Sequence, residues 1–189
     1  MSELTPEQLS RRTLNFGSGL ERQQDWLTVD IRSHVRPDLV WDLDQLPYPL
    51  PEHHYDLILA HDVIEHLRAP LRALEEAHRL LRPDGRIEIT TPHFSCSNSF
   101  TDPTHLHHLG YYSFDYFTDE SPWSFYSEAR FEIEHRNIAF HPGRISKFFA
   151  AWANRHPALY ERRLCWIFPA WFLFFRLRAL PARSTVEGA

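Results

Sequence analysis

Three histidines and an aspartate fall within the seven residues Asp102 to His108, DPTHLHH. Imidazole is the side chain whose ordinary pKa lies nearest neutrality, so a cluster of this kind suits taking a proton from a hydroxyl. A second group sits far upstream. Gly17-Ser18-Gly19 follows the apolar end of LNF, and Asp30 closes WLTVD eleven residues after Gly19. Two glycines one residue apart let the backbone turn tightly and present N–H groups to something bound close by. The third glycine of a dinucleotide fingerprint is missing, since Arg22 stands there, and no phosphate loop ending in Gly-Lys-Ser/Thr exists.

These groups need elements to hold them. Leu27, Val29 and Ile31 alternate with Thr28 and Asp30, which predicts a strand, and DLVWDLD reads as a short third one. The continuous apolar run of YDLILAHD, Tyr55 to Asp62, reads as a strand covered on both faces. Leu71, Leu74, Ala77 and Leu81 recur at helical spacing, with Pro83-Asp84-Gly85 as the stop, and RIEITTPHF follows as another strand. RFEIEHRNIAF and FLFFRLRAL alternate as strands, the latter with Phe175, Leu177 and Ala179 opposite Arg176 and Arg178. The fold class expected is α/β: a Rossmann-like, mostly parallel sheet with an antiparallel last strand, a shortened first helix, and a helical insertion over 141–170 before the last strand. The sites should lie at the C-terminal ends of the strands. One domain spans 1–189, with 1–11 a polar leader and 181–189 a tail.

Composition narrows the function. With a net charge of -5, and no block of basic residues, a nucleic-acid partner is excluded. Cys96 and Cys165 have no C-x-x-C spacing, and MSELTPEQLSRR has no apolar targeting core, which predicts a reduced, cytoplasmic protein.

Five motifs in register then carry a resemblance: LNFGSG at Leu14 to Gly19, VDI at Val29 to Ile31, WDLDQLPYPLPEHHYDLI at Trp41 to Ile58, VIEHL at Val63 to Leu67 and LRPDG at Leu81 to Gly85. The chain resembles the compact class I S-adenosylmethionine-dependent methyltransferases over Leu14 to Phe94. The resemblance implies S-adenosylmethionine as cofactor. Gly17 and Gly19 would then approach its methionine part, Asp30 the ribose hydroxyls, Asp42 and Leu43 the adenine, and His61 the other side of the site. Ser18 departs from the commoner cysteine, and Leu20 to Gln24 is too short for a full first helix, which predicts an open site near the methionine end. Asp30 and Asp42 as ordinary caps is the competing reading.

The DPTHLHH run matches the DPTHxRHF-like run of such enzymes at Asp102 to Thr104, His105 and His108, with His107 in place of arginine. His105 or His108 is the expected base, with His93 in the same stretch. His66 is read as a packed, hydrogen-bonded residue, because on a helix His61 and His66 point apart. A metal is not expected. Metal binding through His105 with His107 or His108 is the competing reading, and packing against Tyr111, Tyr112, Phe114, Tyr116 and Phe117 a third. The function expected is O-methyl transfer to a small or glycan-like acceptor, N-transfer ranking second. The alternatives are a cofactor-binding or interaction protein without transfer, or a histidine-based metal module. The apolar stretch LCWIFPAWFLFF, Leu164 to Phe175, is too short to span a bilayer. With Arg155, Arg162, Arg163, Arg176 and Arg178 nearby, it gives a second expectation, peripheral membrane contact through 164–178.

Overall fold

A computed structural model describes residues 4–143 and 147–181. Its frame is one seven-stranded sheet in the order β3-β2-β1-β4-β5-β7-β6. The strands are β1 (Thr13–Phe16), β2 (Trp26–Asp30), β3 (Leu39–Val40), β4 (Tyr55–His61), β5 (Leu81–Pro92), β6 (Arg130–Ala139) and β7 (Phe172–Leu180). β1 to β5 pair in parallel, and β7 runs antiparallel between β5 and β6. The expected antiparallel last strand is therefore present, and α4 (Lys147–Arg155) and α5 (Pro157–Arg163) lie ahead of it in the chain.

The first crossover departs further from a regular βαβ unit than the sequence suggested. Residues 17–25 hold no helix, and α1 (Pro6–Ser10) forms inside the stretch read as a leader. Thr5 caps it, in a capping box with Gln8.

α2 (Pro70–Leu80) lays Ala73, Leu74, Ala77 and Leu80 into the core against one face of the sheet. Leu14, Phe16, Ile58, Ile87, Phe175 and Leu177 supply that face. The helix ends at Leu80 rather than at the proline, because Leu81 turns extended and opens β5 at once. LRPDG is thus the irregular start of a strand. A Cβ on Gly85 would stand 2.9 Å from both the Arg82 and Tyr55 carbonyl oxygens, which explains glycine there.

β4 corrects a second expectation. It is covered on both faces only toward its C-terminal end: on the second face Leu59 is buried, whereas Leu57, which pairs with Arg86 in register, is half-buried. On that side β5, β7 and β6 carry a ladder of ion pairs, Arg86 to Glu134, Arg176 to Glu88, and Arg178 to Asp84 and Glu132. Where the antiparallel part of that face meets water it is polar, as antiparallel sheets commonly are on one side.

Candidate active site

The C-terminal ends of β1, β2 and β4 bring the glycine loop to its predicted neighbours. Gly17 has φ +58°, and a Cβ there would stand 2.6 Å from Val63 Cγ2, so only glycine lets the loop lie against the segment after β4. Gly19 also has positive φ, +50°, but faces open space. Asp30, buried at the end of β2, accepts from the Gly19 N–H at 2.8 Å through Oδ2 and from the Arg32 N–H at 2.8 Å through Oδ1. Each oxygen keeps a further lone pair. Asp30 therefore shapes the loop rather than capping a helix. The buried Ser18 hydroxyl finds no hydrogen-bond partner inside the protein, so the loop has a polar group to offer a ligand.

Asp42 is half-buried and ties the next loop through the Asp44 N–H at 3.0 Å. Leu43 is built into the core. Its carbonyl accepts from the Tyr48 hydroxyl at 2.9 Å, and Glu76 of α2 takes the Tyr48 N–H at 2.6 Å. A buried acid on a helix thus anchors the loop that carries the adenine-side residues. His61 ends β4 with Nδ1 4.0 Å from Glu21 of the glycine loop.

The histidines separate sharply. His93 is fully buried; its Nδ1 accepts from the Ser95 N–H at 3.0 Å, which leaves Nε2 to donate to Glu161 at 3.3 Å, a packing role. His108 is exposed, stacked on Phe100, with Nδ1 2.8 Å from the Ser99 hydroxyl. His107 keeps a buried Nε2 without a partner.

His105 is the member that meets the segment after β4. The N–H groups of Leu106 and His107 both donate to the Glu65 carbonyl, at 2.9 and 3.1 Å, and so dock DPTHLHH against VIEHL. His105 Nδ1 lies 3.3 Å from the Ser99 carbonyl, which can only accept, so Nδ1 carries the proton and Nε2 the lone pair. That nitrogen lies 4.0 Å from Glu65 Oε1 and 4.0 Å from Asp102 Oδ2.

Glu65 was passed over in the sequence as part of a motif. It is 1% exposed and neither carboxylate oxygen has a hydrogen bond. Burial, with the charges of Asp62 and Asp102, pushes its carboxyl up to about 7. The hydroxyl and N–H of Thr104 hold Asp102 below its ordinary range.

A profile described as the methyltransferase domain matches residues 6–166. The chain belongs to the methyltransferase domain family. Solved structures share its fold. An S-adenosylmethionine-dependent methyltransferase from Mesorhizobium loti aligns at TM-score 0.58 and 16% identity, over 93% of this chain and 94% of its own. A second from Archaeoglobus fulgidus aligns at TM-score 0.55 and 17% identity, over 89% and 86%. Phosphoethanolamine N-methyltransferase 2 of Haemonchus contortus, solved with S-adenosyl-L-methionine, aligns at 0.54 and 14%, over 90% of this chain and 49% of its own. A search of curated proteins finds no match. The methyltransferase domain thus spans the glycine loop, Asp30, Asp42, Leu43 and His61 on one side and the Glu65 to His108 docking on the other.

The largest cavity among those described, about 730 Å³, lies elsewhere, at the opposite end of the sheet between α2, Phe125 to Ala129 and the end of β7. Its Arg72 and Arg79 are paired with Glu75 and with Glu52 and Glu76, so the cleft offers few free charges.

Proposed function

We propose that this methyltransferase takes S-adenosylmethionine between the glycine loop and β4 and methylates an oxygen of a small or glycan-like acceptor. The observation that carries the reading is the pairing, at one end of the sheet, of a glycine loop braced by Asp30 with His105, whose Nε2 lies beside the buried Glu65. Gly17, Gly19 and the free Ser18 hydroxyl suit the methionine part, the spare lone pairs of Asp30 suit the ribose diol, and Asp42 with Leu43 suits the adenine. Bound there, S-adenosylmethionine supplies a methyl group on a cationic sulfur, ready for in-line displacement by oxygen.

The chain's own residues handle the proton. His105 is favoured over His108, whose ring is exposed and stacked on Phe100, because its Nε2 lone pair faces Glu65 and Asp102. Calorimetric titration with S-adenosylmethionine and S-adenosylhomocysteine tests the cofactor. Micromolar binding, about -8 kcal/mol, is expected, and none at millimolar ligand would sink the reading. His105→Ala should keep that binding and lose transfer by about a hundredfold or more.

The acceptor side also borders an apolar rim. Trp166, Ile167 and Phe168 are exposed, and Trp166 packs on Phe94 just beyond β5. The expected patch shortens: within 172–178, Leu173, Phe175 and Leu177 are buried in β7 and Arg176 and Arg178 are paired with acids. Arg155, Arg162 and Arg163 are exposed and have no ion-pair partner among the described residues. No helix of the described residues is long and apolar enough to cross a membrane. The second part of the proposal is that 164–168, with these arginines, rests on an anionic bilayer surface and meets the acceptor there.

A further inference from the structure

Glu65, His66 and His105 each turn one ligand atom inward, and those atoms lie within 4.8 Å of one another. We propose that these three side chains bind a divalent first-row transition ion of the zinc class. Binding itself does not depend on the function proposed above; only the ion's role rests on that reading.

The hydrogen bonds around the site settle which nitrogens are free. The Thr104 hydroxyl has one proton, and the ionised Asp102, 2.6 Å away, can only accept it. Toward His66 Nδ1, at 3.0 Å, that hydroxyl therefore accepts, and the Thr104 carbonyl at 3.3 Å can do nothing else. His66 Nδ1 must carry a proton, so in the neutral ring the lone pair is on Nε2. His105 reaches the same state through the Ser99 carbonyl. Metal-binding histidines are held in this way, one ring N–H donated to a carbonyl while the other nitrogen ligates. The two rings meet edge-on with centroids 4.6 Å apart.

The third donor gives the independent argument. A carboxylate 1% exposed, with no hydrogen bond to either oxygen, is a cost the fold must offset. The neighbouring Thr91 hydroxyl, itself buried without a close partner, eases this only in part, and the nearest imidazole nitrogen, at 4.0 Å, is beyond hydrogen-bond reach. A dication in the gap would satisfy Glu65 and both lone pairs together. Two imidazoles and one carboxylate select zinc-class ions over magnesium or calcium and leave a coordination position open. Ligand distances of ~2.1 Å place tetrahedral donors roughly 3.4 Å apart, so the three side chains must close by about 1 Å. The open position is free for an oxygen ligand. With the ion bound, His105 serves as its ligand in place of acting as the base, and an acceptor hydroxyl at the open position would lose its proton to solvent more readily.

Protein stripped with a chelator and titrated with Co(II) should develop visible d–d absorption saturating at one ion per chain, and Zn(II) should displace it one for one. Glu65→Gln, which keeps the shape, and His66→Ala should each weaken Co(II) binding about tenfold or more, with folding checked by thermal melts; His108→Ala should bind like the parent. Absence of stoichiometric metal, or a Glu65→Gln protein that binds as the parent does, overturns the proposal. Calorimetry with S-adenosylmethionine on the same stripped protein keeps the two readings apart. Cofactor binding without metal binding leaves the activity standing and this inference fallen, and the reverse result does the opposite.

Discussion

At the scale of single residues, the two glycines of the loop make unlike demands. Gly17 needs both its positive φ and its missing Cβ, whereas Gly19 needs only the φ, since nothing lies within 4 Å of a Cβ there. Gly19→Ala should therefore cost about 1–2 kcal/mol of stability from left-handed strain alone. Gly17→Ala adds a collision with Val63 and should melt lower by several degrees more in the same thermal scan. Equal melting shifts would mean the loop relaxes freely and does not hold the close approach to Val63. Gly17 and Gly19 stood out as candidates by their spacing, and Asp30 and Asp42 through the resemblance. Glu65 and His66 were not, because the orphaned state of a carboxylate and the tautomer of an imidazole depend on Thr104, Ser99 and Asp102, which the sequence alone does not bring near.

At the scale of elements, α2 does more than cover the sheet. Its Glu76 faces inward, where burial would push the carboxyl up, but the Arg79 guanidinium, gripping both oxygens, and the Tyr48 N–H together hold it below the ordinary glutamate range. Arg79 also donates to the Tyr48 carbonyl at 3.1 Å. The loop that carries Asp42 and Leu43 therefore hangs from the helix by an ion pair. A lowered folded-state pKa means that this contribution is complete above about pH 4.5 and is lost as pH falls toward the folded value. Glu76→Gln should destabilise the protein by about 1.5–3 kcal/mol at pH 7. The difference from the parent should shrink on acidification from pH 4.5 downward, read by chemical denaturation across pH. A difference that stayed constant would show that the charge of Glu76 plays no part.

At the scale of the whole molecule, one sheet face holds a core and the other an Arg–Glu ladder, while the apolar and cationic surface gathers at the rim beside the acceptor side. If that rim meets a bilayer, Trp166→Ser combined with Ile167→Ser should cut co-sedimentation with vesicles of anionic phospholipid severalfold. Raising salt should do the same through the unpaired arginines. Co-sedimentation unchanged by both would remove the membrane from the proposal. The sequence by itself determined the alternation of strands and helix, the antiparallel last strand and the glycine turn, because these follow from local periodicity and spacing. The loss of a helix between β1 and β2 was half-visible as a segment too short to hold one. Only the tertiary structure decided that Leu57 of β4 lies half-open on one face and which histidine faces the buried Glu65. Each of these depends on what a residue is packed against, and chain segments as distant as Glu65 and His105 meet only when the sheet brings their loops to the same end.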